Sequence, residues 1–139
     1  MAWNVQPSRE ELQTLMEAGY ILRDAKRFDD ARVVFQGVKA LVPGSAEAEV
    51  ALGAVAFHEG DFATAKKHYE RVVAQNPRDA WAHAHLGEVE LFSMRKEEAV
   101  RHLKKAVELD EKGAYGKMAR RLLQLADEVR FDDGNKARK

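Results

Sequence analysis

The sequence predicts an all-α fold, an α-solenoid of three helix-turn-helix repeats followed by a C-terminal capping helix. Proline occurs only at Pro7, Pro43 and Pro77, and the stretches between are rich in residues that helices favour or tolerate. The last two prolines are 34 residues apart, which suggests a repeat of that period. A shift of the chain by 34 residues superposes three columns of like residues: Gly19, Gly53 and Gly87; Ala31, Ala65 and Ala99; Phe35, Tyr69 and Leu103.

The glycine column predicts close helix packing. Glycine inside a helix costs roughly 1 kcal/mol relative to alanine, so its recurrence at one phase of three helices needs a compensating contact. The alanine column indicates the same for the second helix of each pair, where a small side chain lets the partner's ridge approach. The bulky residue four positions later then fills the space beyond the alanine.

The repeat phase and the capping signals place the helices. We expect first helices over 9–25, 46–59 and 80–93, and second helices over 28–41, 62–75 and 96–109. Ser8 with Glu11 forms a capping-box pattern, and three further residues stand where N-caps are wanted: Ser45, Asp61 and Asp79.

A seventh helix is expected over 114–130. Its apolar residues Met118, Leu122, Leu125 and Val129 fall on one helical face. Because the last repeat of an array exposes an apolar flank, this helix is suited to cover it. The expected organisation is a lead-in over 1–8, one domain over 9–130 and a disordered tail over 131–139. Within the domain the repeats fall at about 12–45, 46–79 and 80–113.

Composition excludes several classes of protein. The chain has 139 residues, a typical single-domain size, and its 23 basic and 23 acidic residues give zero formal charge, which argues against nucleic acid as a partner. No apolar run is long enough to span a membrane. With no cysteine there is no disulfide or thiolate chemistry. The first residues lack the pattern of a signal peptide, so a cytoplasmic location is expected.

The candidate catalytic and metal-binding residues do not form a site. His83 and His85 are two apart, on nearly opposite sides of a helix, so they do not share a metal. His68 and His102 occupy equivalent positions of successive repeats, but the pattern fixes no carboxylate beside them. No phosphate-binding loop or nucleophile elbow is present. We therefore expect a protein that is not an enzyme and has no cofactor and no metal.

The segment "LGAVAFHEGDFATAKKHYERVVAQNP" resembles the tetratricopeptide repeat, which places Leu-Gly, Ala, Phe or Tyr and Pro at these offsets. The resemblance spans about 12–112. Where the pattern has an aromatic residue early in each first helix, this chain has Leu15, Glu49 and His83. The third repeat also has Met94 in place of the turn glycine and Glu111 in place of the last proline.

The resemblance implies that first helices line a concave groove and second helices form the convex face. Over 12–25, 46–59 and 80–93 there are seven acidic residues and one basic one, whereas 62–75, 96–109 and 114–130 carry eleven basic and six acidic residues. An acidic, aromatic groove favours an extended apolar segment of a partner protein with basic flanks. The expected groove residues, about a third of which should be buried between helices, are Met16, Tyr20, Val50, Ala54, Phe57, Trp81, Ala84, Glu88, Leu91 and Phe92.

One binding mode of tetratricopeptide proteins is excluded. Co-chaperones that grip a C-terminal carboxylate resemble one another in a clamp of Lys and Asn on the first helices, and these three segments contain neither residue. A competing interpretation of the whole molecule places the partner on the basic convex face, which carries Lys66, Lys67, Lys104 and Lys105.

Three repeats with a closing helix resemble the type III secretion chaperones that guard translocator proteins. "GYILRDAKRFDDARVVF" is similar to that family's first repeat and "HAHLGEVELF", with His85, Gly87 and Glu88, to its third. The resemblance implies that the partner's N-terminal segment occupies pockets formed by Tyr20, Val50, Phe57 and Trp81. The family's extra N-terminal dimerisation helix is not matched, so a monomer or weak homodimer is expected. The alternative is a general scaffold or adaptor in another bacterial assembly.

Overall fold

The computed structural model describes residues 6–129, which form seven α-helices and no strand. The prediction of an all-α fold is confirmed, and each helix agrees with its expected bounds to within two residues. The expectations for residues 1–5 and 130–139, including the disordered tail, lie outside the described residues. The helices are α1 Arg9–Asp24, α2 Phe28–Leu41, α3 Ala46–His58, α4 Phe62–Gln75, α5 Ala80–Phe92, α6 Lys96–Leu109 and α7 Ala114–Glu128.

All four predicted N-cap side chains accept a backbone hydrogen bond from the residue three positions later. Ser8 and Ser45 accept at 3.1 and 3.2 Å. Asp61 and Asp79 accept at 3.1 and 3.0 Å. Each bond satisfies one of the N–H groups that the first turn of a helix leaves unpaired, and this fixes where the helix begins.

The chain divides into two compact units, residues 1–68 and 69–139, and the boundary falls inside α4. In the first unit α2 packs against α1 and α3 around a core that includes Met16, Phe35 and Val55. In the second unit α5, α6 and α7 pack pairwise around a core that includes Leu91 and Leu103. The assignment of 9–130 to a single domain remains a prediction.

The structure explains two of the repeated glycines by close helix contact. A Cβ atom on Gly87 would lie 2.5 Å from the Leu103 Cγ atom, and one on Gly19 would overlap the Phe35 ring. Each glycine therefore makes room for the bulky residue of its own repeat's second helix. The prediction of close packing at these positions is confirmed.

The turn between the helices of each repeat requires a left-handed backbone. The residue at the turn has φ 62° at Lys26, 83° at Gly60 and 62° at Met94. Left-handed backbone suits glycine and is unfavourable for residues with a Cβ atom. Met94 and Lys26 thus hold the conformation that Gly60 adopts without strain.

Helix α7 packs against α5 and α6, but its buried positions are not those of the expected apolar stripe. Its buried residues are Gly116, Ala119 and Ala126, whose small size allows close approach. Met118 and Leu122 are only partly buried beside that contact. The last two residues of the same stripe, Leu125 and Val129, are 41% and 36% exposed. The expectation that this apolar stripe forms the packing face is therefore wrong for its last two members.

Within residues 6–129, none of the helices combines the length and the apolar character that crossing a bilayer requires.

Candidate binding surface

Half of the ten expected groove residues are buried, where a third was expected. The buried five belong to the hydrophobic core: Met16, Val50, Ala54, Ala84 and Leu91. The other five keep some exposure: Tyr20, Phe57, Trp81, Glu88 and Phe92. A surface that binds a partner can be formed directly by this second group only.

In the first unit the two candidates that keep some exposure, Tyr20 and Phe57, are aromatic residues packed against neighbouring side chains. The ring of Tyr20 lies 5.3 Å from that of Phe35, and the Arg23 guanidinium carbon stands 5.2 Å above it. The ring of Phe57 lies 5.4 Å from that of Phe62. Tyr20 and Phe57 are thus half-buried side chains already packed within the unit.

The second unit carries the larger aromatic cluster. The ring of Trp81 on α5 is stacked on that of Tyr115 on α7, with centroids 5.9 Å apart and planes inclined by 19°. His85 lies 6.0 Å from Trp81 on one side and is stacked on the buried Tyr69 on the other. At the far end of α5, Phe92 is 52% exposed. The rings of Tyr115, Trp81, His85 and Tyr69 thus form an aromatic strip in the second unit.

Tyr115 was missed by the sequence argument, although the sequence contains a signal for it. It stands 34 residues after Trp81, in the same column of the repeat. The closing helix α7 therefore supplies an aromatic residue at the position where a further first helix would supply one.

The acidic residues of the first helices are not all available to a partner. Glu49 and Glu90 are buried. Glu49 pairs with the Lys39 Nζ atom at 2.9 Å, and the Glu90 Oε2 atom lies 3.8 Å from Arg95 Nε. Glu88 differs because its side chain is 20% exposed, and its Oε1 atom lies 3.5 Å from His85 Nδ1.

The residue pattern fixed no carboxylate beside His68 and His102, and the structure places one beside His68. The Nδ1 atom of His68 is 3.3 Å from Glu49 Oε1. In the next repeat the same two positions hold His83 and His102, whose Nδ1 atoms are also 3.3 Å apart. His83 Nε2 lies 2.7 Å from the Pro77 carbonyl oxygen, to which it donates. In the described part of the chain no three metal-binding side chains come together.

The comparisons with known proteins concern the fold. A tetratricopeptide repeat family model matches residues 56–123, and curated protein sequences give no match. Together with the seven helices, this shows a helical repeat of the tetratricopeptide type, as the segment from Leu52 to Pro77 predicted.

Three similar solved structures represent the fold. PcrH from Pseudomonas aeruginosa is 22% identical, with 92% of this chain and 98% of that chain covered and a TM-score of 0.76. The type III secretion translocator chaperone SycD of Yersinia enterocolitica is 20% identical over 88% and 92% of the two chains, with a TM-score of 0.76. The first TPR of Spaghetti (RPAP3), bound to the HSP90 peptide SRMEEVD, is 18% identical over 89% and 96%, with a TM-score of 0.73. PcrH is also found with the chaperone binding region of PopB, and SycD with a peptide of the translocator YopD.

Proposed function

We propose that this protein is a peptide-binding module that holds an extended segment of a partner protein, and that it serves as a chaperone for a secreted translocator. The observation that carries the first part is the Trp81–Tyr115 stack, which is partly exposed on α5 and α7. The second part rests on the likeness in fold to PcrH and SycD.

The aromatic strip has the composition of a binding hot spot. Trp and Tyr bury large areas with few rotatable bonds, and they are enriched among the residues whose truncation weakens protein complexes most. Because Trp81 and Tyr115 are already held in place by stacking, their side chains lose little conformational entropy when a partner binds. Phe92 adds an exposed apolar contact at the other end of α5.

The chemistry of the first helices favours one kind of partner over another. The helices α1, α3 and α5 contain no Lys and no Asn, so they lack the residues with which a carboxylate clamp grips an acidic C-terminus. A partner segment with apolar side chains and positive charge is complementary to a surface formed by Trp81 and Glu88.

A scaffold or adaptor in another assembly is the second candidate. It is favoured by the likeness to the first TPR of Spaghetti (RPAP3), which is bound to the HSP90 peptide SRMEEVD. Gene neighbours separate the two candidates, because a secretion chaperone is expected beside genes for large proteins with membrane-inserting stretches.

The test begins with co-purification of the tagged protein from its own cells, followed by mass spectrometry and mapping of the protected partner segment. Calorimetry with that segment as a synthetic peptide then compares Trp81→Ala with Val33→Ala, a control that removes an exposed apolar side chain from α2. We expect the tryptophan variant to lose at least about 2 kcal/mol of binding free energy and the control to bind normally. Equal binding by both variants, with unchanged melting, would disprove the aromatic strip as the binding surface.

A further inference from the structure

A stripe on α5 joins an aromatic surface to a carboxylate. Trp81, His85 and Glu88 are spaced four and three residues apart, so their side chains share one face of the helix. The ring of His85 lies 6.0 Å from that of Trp81, and its Nδ1 atom lies 3.5 Å from Glu88 Oε1. We call these three residues the α5 stripe.

The aromatic end of the stripe is extended by Tyr115, which is 37% exposed and stacked on Trp81. The faces of aromatic rings carry negative electrostatic potential, so they attract cations as well as apolar groups. The stacked pair is partly exposed, so the methylene stem of a long side chain can lie against it.

The other end of the stripe carries a negative charge that the described residues do not balance with a lysine or arginine. Glu88 pairs only with His85 among residues 6–129, and α5 itself contains no Lys or Arg. The other acid of α5, Glu90, is buried and lies near Arg95. Glu88 is therefore the charge that α5 offers to a partner.

The spacing of the two ends matches one class of side chain. Trp81 and Glu88 are seven residues apart, about 10 Å along the helix axis. An arginine side chain has an apolar stem several ångströms long and a charged head, so its stem fits along the rings while its head reaches the carboxylate. A guanidinium is planar and can bind a carboxylate with two parallel hydrogen bonds, which an ammonium cannot do.

We propose that the α5 stripe binds an arginine side chain of the partner segment, a proposal that rests on the proposed peptide-binding function. An aliphatic side chain in the same place would cover Glu88 and remove its water without supplying a hydrogen bond. An acidic side chain would be repelled. The stripe therefore selects for arginine by favouring it and by penalising the other classes.

The experiment selects peptides from a random dodecapeptide phage library on three immobilised proteins: wild type, Glu88→Gln and Glu108→Gln. The last is a matched control, since Glu108 is an exposed acid on α6 that pairs with Lys105. We expect arginine at a recurrent position of the peptides selected by wild type and by the control. Peptides selected by Glu88→Gln should lack that preference.

A second measurement uses one selected peptide and its citrulline counterpart, which keeps the shape of arginine and removes its charge. We expect the citrulline peptide to bind wild type about tenfold more weakly, and to bind Glu88→Gln as tightly as the arginine peptide does. The comparison on wild type changes only the peptide, so that part of the result does not depend on whether a variant folds normally.

The outcomes separate the two proposals. If wild type enriches no peptide at all, the peptide-binding function fails and the arginine proposal fails with it. If wild type enriches peptides without arginine, or binds the citrulline peptide as well as its parent, the binding function stands and the arginine proposal is overturned.

Discussion

At Gly87, replacement by alanine sets a gain in helix propensity against overpacking of the α5–α6 contact. Replacing a helical glycine by alanine normally stabilises a helix by roughly 1 kcal/mol. At Gly87 the new Cβ atom would lie 2.5 and 2.6 Å from the Cγ and Cδ2 atoms of Leu103 and 3.3 Å from the Ala99 carbonyl oxygen. Leu103 is fully buried and its Cγ is a branch point, so it has no free space to move into. Overpacking costs about 1–3 kcal/mol, and two contacts as short as these place Gly87→Ala in the upper half of that range. After the gain of roughly 1 kcal/mol in helix propensity, the variant should be destabilised by about 1–2 kcal/mol net.

Gly37 provides the matched control, because it lies exposed on α2 and a Cβ atom there would meet nothing within 4 Å. Gly37→Ala should therefore stabilise the protein by up to about 1 kcal/mol. Urea denaturation followed by circular dichroism measures both changes. A stabilisation of Gly87→Ala equal to that of Gly37→Ala would show that α5 and α6 are not in the close contact described above.

Three further predictions concern turns, packing and caps. Met94→Gly should raise the unfolding free energy by about 0.5–1 kcal/mol, because it removes left-handed strain at an exposed position; a lower urea midpoint would contradict this. Ala65→Leu should lower it by about 1–3 kcal/mol, because Ala65 is fully buried; an unchanged thermal melt would show that the position tolerates bulk. Hydrogen bonds from the Thr64 hydroxyl and backbone N–H lower the pKa of Asp61 below its usual 3.8, so its stabilising contribution is present above that pH and is lost as the pH falls below it. The difference in urea midpoint between wild type and Asp61→Ala should therefore be larger at pH 7 than at pH 3, and a constant difference would argue against the carboxylate.

The helices and their caps could be predicted because their signals are local or periodic. Ser8 and Asp79 precede helices whose first turns need an acceptor, and that need does not depend on the rest of the fold. Gly19 and Gly87 recur at the repeat period, so their cause had to be a contact that recurs as well. Such features can be read from one sequence.

The exposure of the candidate site could not be predicted in the same way. Helix phase gives the direction of a side chain but not how deeply its neighbours cover it, so Val50 and Ala84 could not be separated from Trp81. The contact of Glu49 with His68 depends on the distance between two helices, which the spacing of residues in the sequence does not give. Tyr115 is different, because the repeat period alone places it in the column of Trp81.

The helices α3 and α5 have buried residues around most of their circumference, whereas α1, α2, α6 and α7 each bury only two or three positions. An amide hydrogen of α3 or α5 can exchange with solvent only after neighbouring helices have moved away, so its exchange reports the opening of a whole unit. Amides of α1 and α7 can exchange by fraying alone. In a deuterium-labelling time course, the amides of α3 and α5 should therefore exchange slowly and those of the other helices in each unit should exchange faster. A bound peptide that contacts α7 should slow the exchange of the α7 amides as well.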